Sequence, residues 1–158
     1  MPAKKILVAE DDADILFLIS YSLQYVGHKV IEATNGCEAL DMAKQEQPDL
    51  IILDVRMPKV SGLEACLQLK SEASTRDIPV IFLSARGQDP EVKRGLALGA
   101  EEYVLKPFAP EELLRRVDGI LRRTERQRGQ QAPVSDRPVQ NSDPAGTGTE
   151  RTDERCSS

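Results

Sequence analysis

PDLIILDVRMP, residues 48–58, sets four large apolar residues, Leu50 to Leu53, directly against Asp54 and ends on a second proline. A run that short, apolar without alternation and bounded by Pro48, reads as a strand buried on both faces. Strands buried on both faces belong to parallel sheets whose crossover helices cover each side. The rest of the chain obeys that reading. Four further apolar, β-branched runs recur at intervals of a crossover unit: KILVA (5–9), KVIEAT (29–34), PVIFLSA (79–85) and EYVLK (102–106).

Helix-like segments separate the runs. ADILFLISYSLQYVG places Ile15, Leu18, Ile19, Leu23 and Val26 near one face and stops at Gly27. NGCEALDMAKQEQP opens on the cap-competent Asn35, SGLEACLQLKSEA opens on Ser61, and DPEVKRGLALG carries Pro90 in its first turn and Gly99 past its end. APEELLRRVDGILRRT puts Glu111 and Glu112 at its start and Arg122 and Arg123 at its end, which suits the helix dipole. Five strand–helix units over residues 3–124 predict an α/β domain with a doubly wound, five-stranded parallel sheet. Residues 125–158, rich in Gln, Ser, Pro, Gly and charge, predict a disordered polar tail, because almost nothing there offsets ordering entropy by burial.

Composition narrows the function. The net charge of −5 argues against a nucleic-acid footprint or an anionic membrane surface, and Trp is absent. Cys37, Cys66 and Cys156 have no metal-ligand spacing. The apolar run at the N-terminus meets Glu10 after four residues, too soon for a signal peptide, and no stretch approaches the length of a membrane span. The expected location is the cytoplasm.

In an open parallel sheet, ligands bind beyond the carboxyl ends of the strands. There the first strand delivers Glu10, Asp11 and Asp12, the third Asp54, the fourth Ser84, and the fifth Lys106 before Pro107. Carboxylates, one hydroxyl and one ammonium on one rim suit a hard divalent cation and a phosphoryl group. An Asp can take that group covalently. Asp12 and Asp14 fit the start of the first helix, where the positive end of its dipole favours them.

The segments ILVAEDDADI, PDLIILDVRMPKVSGLE, IPVIFLSA and GAEEYVLKPF, in this order and spacing, resemble the receiver domain of two-component response regulators over about residues 4–123. The resemblance implies a flavodoxin-like (βα)5 fold. It implies Asp54 as phosphoacceptor, with Lys106 (whose peptide bond to Pro107 is cis in the family) and Ser84 on the phosphoryl group. It implies Mg2+ held by Glu10, Asp11, Asp54 and the Arg56 carbonyl, and a switch pair of Ser84 and Tyr103. Glu10 stands where the family most often has Asp, and Arg56 occupies a variable position. The implied role is a phosphorelay signalling protein, not a metabolic enzyme. A sensor histidine kinase or histidine phosphotransfer protein would donate the phosphoryl group. The surface of the fourth helix, fifth strand and fifth helix would then control a partner protein or a self-dimer, without direct nucleic-acid or membrane contact. The alternative is the receiver portion of a multidomain regulator with transcriptional or cyclic-dinucleotide output. An Asp-nucleophile phosphatase fits less well, because its nucleophile follows the first strand and an acid stands where this chain has Arg56.

Overall fold

The computed structural model describes residues 3–131. Five strands alternate with five helices: β1 (Lys5–Ala9), α1 (Ala13–Tyr25), β2 (Lys29–Ala33), α2 (Gly36–Glu46), β3 (Leu50–Asp54), α3 (Gly62–Ser71), β4 (Val80–Ser84), α4 (Pro90–Ala97), β5 (Glu102–Leu105) and α5 (Pro110–Gln131). All strand pairs are parallel, in the order β2-β1-β3-β4-β5. This is the flavodoxin-like doubly wound sheet, with β3 and β4 wholly buried as their apolar runs require.

The two-residue period of the strands divides the core. Leu7, Ala9, Ile51, Leu53, Val80 and Phe82 join the cluster under α2, α3 and α4. Ile6, Val8, Leu50, Ile52, Ile81, Leu83 and Val104 join the one under α1 and α5. Each fully buried aliphatic side chain stabilises by roughly 1.5–3 kcal/mol relative to exposure. Caps hold the helices at the positions the sequence signals. Asp12 accepts from the Asp14 and Ile15 amides, Asn35 from Glu38, and Ser61 forms a reciprocal capping box with Glu64.

One boundary differs from expectation. α5 does not end at Thr124 but runs to Gln131, so residues 125–131, assigned from composition to the disordered tail, are helical. Glu, Arg and Gln are good helix formers, and extending an existing helix is far easier than starting one. Glu125 is also tied to β1's approach by an ion pair with Lys4 at 2.6 Å. The remaining tail, residues 132–158, lies outside the described residues.

Candidate functional site

Register builds the site. β1 and β3 pair with Ala9 opposite Leu53, so the residues that follow, Glu10 and Asp54, leave the sheet side by side at the point where the strand order reverses. β3 and β4 pair Asp54 with Leu83, and β4 and β5 pair Ser84 with Leu105, so Ser84 and Lys106 sit on the same rim. The amide of Lys106 donates to the Ser84 carbonyl at 2.8 Å, and the Lys106–Pro107 peptide is cis, as expected. The Ser61-Gly62 step that follows the loop after Asp54 has a steric reason. Gly62 donates to the Val55 carbonyl at 2.8 Å, and a Cβ there would collide with the Asp54 carbonyl oxygen.

Lys106 Nζ reaches both acids, 3.0 Å from Glu10 Oε1 and 3.3 Å from Asp54 Oδ1. Glu10 Oε2 accepts from the Asp12 amide at 3.1 Å, and Asp54 Oδ1 accepts from the Arg56 amide at 3.4 Å. Glu10 Oε1, though within ion-pair distance of Lys106, lacks hydrogen-bond alignment to any group. It is the buried side-chain oxygen left without such a partner among the described residues. Asp11 is exposed. Glu10, Asp11 and Asp54 each bring an oxygen within 4.8 Å of the others, so the three could hold a metal ion.

Burial dominates the electrostatics. Desolvation pushes the Glu10 carboxyl up to about 7, assisted by the charge of Asp54 and opposed by the Asp12 amide and Lys106. Burial also raises Asp54 against the pull of Lys106, while the two acids hold the Lys106 ammonium above its usual value against desolvation. A carboxyl raised on folding stabilises the fold while protonated. That contribution is complete below the ordinary value of 4.5 and is lost as pH rises through about 7. Metal-free protein should therefore lose up to about 3 kcal/mol of stability from about pH 5 to about pH 8. Urea unfolding at the two pH values measures it, and Glu10→Gln should flatten the dependence; an equal slope in that variant would contradict the assignment to Glu10.

The other residues expected at the site are close but differently engaged. Ser84 is buried; its Oγ accepts from the Arg86 amide and lies 3.1 Å from the Arg86 carbonyl and 3.4 Å from Asp89 Oδ2. Tyr103 is half-buried against the α4-side core, its hydroxyl 3.5 Å from the Gly87 carbonyl. The Arg56 side chain turns to the start of α4, 3.1 Å from Asp89 and 3.4 Å from Glu91. Asp89 and Glu91 were absent from the sequence-based site. The available signal was the Asp-Pro step at 89–90, a helix start only five residues beyond Ser84 on the same rim.

The family model described as the response regulator receiver domain matches residues 6–118. The chain belongs to the response regulator receiver family. Its relatives include the alkaline phosphatase synthesis transcriptional regulatory protein PhoP of Bacillus subtilis, 45% identical over 122 residues, which cover 77% of this chain and 50% of PhoP. The phosphate regulon transcriptional regulatory protein PhoB of Escherichia coli is 41% identical over 121 residues, covering 77% of this chain and 53% of PhoB. This receiver chain thus spans about half the length of the curated relatives it matches. Among solved structures, the chemotaxis response regulator CheY4 of Vibrio cholerae superposes with a TM-score of 0.70 at 32% identity, covering 75% of this chain and 99% of that one. The receiver domain of the sensor histidine kinase PA1611 of Pseudomonas aeruginosa, solved with a magnesium ion coordinated in its active-site cleft, superposes with a TM-score of 0.68 at 29% identity, covering 77% and 97%.

Proposed function

We propose that this receiver is a phosphorylation switch in which Asp54 accepts a phosphoryl group from the phosphohistidine of a sensor kinase or histidine phosphotransfer protein. The observation that carries this is the convergence of Glu10, Asp54 and Lys106 within salt-bridge distance at the switch point of the sheet. An Asp54 carboxylate oxygen attacks phosphorus as the P–N bond of the donor breaks. The imidazole leaves with the bonding pair, and Asp54 becomes an acyl phosphate. Lys106 supplies positive charge to the phosphoryl oxygens, and the Ser84 hydroxyl donates to one of them.

The residues present fit Mg2+. Three carboxylates offer hard oxygen donors, and the buried Glu10 Oε1 lacks an aligned partner. Asp11 and Asp54, Glu10 through water, and the Arg56 carbonyl would hold the ion. When bound, it would neutralise charge on the acids and the phosphoryl group. Incubation with Mg2+ and a small acyl-phosphate donor should add one phosphoryl group by intact mass, and chelator should abolish the gain. Labelling indifferent to chelator would contradict the Mg2+ dependence.

The output surface is α4–β5–α5. Leu98 and Leu105 are exposed there, and a groove runs past Leu96, Tyr103 and Arg116. Arg116 and Arg123 are drawn onto Glu102 at 2.9 and 3.5 Å, and Arg116 also pairs with Glu112 at 3.2 Å. Mixed, internally paired charge with exposed leucines suits a protein partner or a second copy better than nucleic acid. On this reading the chain acts in the cytoplasm as a signalling phosphoacceptor that promotes its own phosphotransfer and dephosphorylation, rather than as a metabolic enzyme. One observation favours a second reading. The curated relatives are transcriptional regulators about twice the length of the matching region, which suits a receiver portion attached to an effector domain.

A further inference from the structure

Asp89 is the centre of a contact network that the phosphotransfer chemistry does not use. It caps α4, its Oδ1 accepting from the Glu91 amide at 2.9 Å, and its side chain is 1% exposed. Its other oxygen, Oδ2, faces two donors from different elements: Arg56 Nη2 at 3.1 Å, from the loop after Asp54, and Ser84 Oγ at 3.4 Å, from the end of β4. A serine hydroxyl has one proton. It can point at Asp89, at the Arg86 carbonyl, or at a phosphoryl oxygen on Asp54, but at only one of them at a time.

Resting on the phosphoacceptor reading above, we propose that Asp89 is a positioning residue that competes with the aspartyl phosphate for the Ser84 hydroxyl, and that Arg56 sets the strength of that competition by sharing the Asp89 charge. The geometry suits an exchange. The Ser84–Asp89 contact is long and therefore weak, while the Arg56 pair is shorter. When Ser84 turns to the phosphoryl group, Asp89 keeps Arg56 and the Glu91 amide, so no buried charge is left unpaired. Arg56 also reaches Glu91 at 3.4 Å, which straps the acceptor loop to the first turn of α4. Release of Ser84 is thereby felt where α4 begins, at the margin of the output surface.

The test measures the labelling rate of the full chain with an acyl-phosphate donor and Mg2+, by intact mass. Asp89→Asn keeps an oxygen for the α4 cap but loses the charge that holds Ser84, so labelling should be about threefold to tenfold faster. The gain should vanish in the Ser84→Ala background. Arg56→Gln should act in the opposite sense, because a buried Asp89 short of one donor grips Ser84 harder and slows labelling. General loosening of α4 would move both variants the same way. Asp89→Asn at or below the wild-type rate, a gain that persists in Ser84→Ala, or a faster Arg56→Gln would overturn the proposal. A wild-type chain that takes no label overturns the phosphoacceptor reading and this role together; a labelled wild type with an unresponsive Asp89→Asn overturns only this role.

Discussion

Lys106→Met is expected to reduce acyl-phosphate labelling by about 100-fold or more, the scale set by removing one preorganised charge-stabilising donor. Lys106 Nζ is the cation within reach of both Glu10 and Asp54, and the Met side chain fills similar space without charge. The same substitution should expose the cost of the acid pair. Two buried carboxylates left facing each other without the ammonium should destabilise metal-free protein by roughly 3 kcal/mol at alkaline pH. Loss of Lys106 removes an influence that lowers the Glu10 carboxyl, so Glu10 should take up its proton more readily. The stability deficit should therefore shrink as pH falls. Urea unfolding of both proteins across pH measures this; a deficit independent of pH would mean that lost packing, not charge, is responsible.

Phe82→Ala should cost about 3–5 kcal/mol of stability, the range for emptying a fully buried aromatic site. Phe82 is completely buried on β4, and its ring occupies the space that Gly95 of α4 leaves by having no side chain; a Cβ at Gly95 would collide with the ring. The pair sets how closely α4 approaches the sheet, so truncating Phe82 should loosen α4 as well as weaken the core. Thermal or denaturant unfolding reads the first effect, and amide exchange in α4 reads the second. A loss under about 1 kcal/mol would show that the site collapses around the smaller residue.

The fold was legible because its signals are local and redundant. Leu50 to Leu53, apolar without alternation and closed by Asp54, read as a strand covered on both sides, and Asn35, Ser61 and Pro90 mark helix starts where the structure has them. The end of α5 was not legible. Residues 125–131 carry no apolar periodicity, and their helix depends on propagation from an earlier turn and on the Lys4–Glu125 pair, a contact between opposite ends of the domain. The acidic rim was legible because strand register alone places Glu10, Asp54, Ser84 and Lys106 together. The direction of Arg56 was not. Its position two residues past Asp54 allows a side chain aimed at the phosphoryl site, and only the packing of α4 reveals Asp89 and Glu91 as its partners. The orientation of Ser84 likewise depends on that helix start.

The most direct measurement is the chemical identity and position of the label. Hydroxylamine attacks the carbonyl carbon of an acyl phosphate and releases phosphate, leaving a hydroxamate on the acceptor side chain. Chain phosphorylated with an acyl-phosphate donor and Mg2+, then treated with hydroxylamine and mapped by peptide mass, should carry the hydroxamate on Asp54, and Asp54→Asn should carry none. A hydroxamate on another residue, or a phosphoryl group that resists hydroxylamine, would contradict Asp54 as the phosphoacceptor.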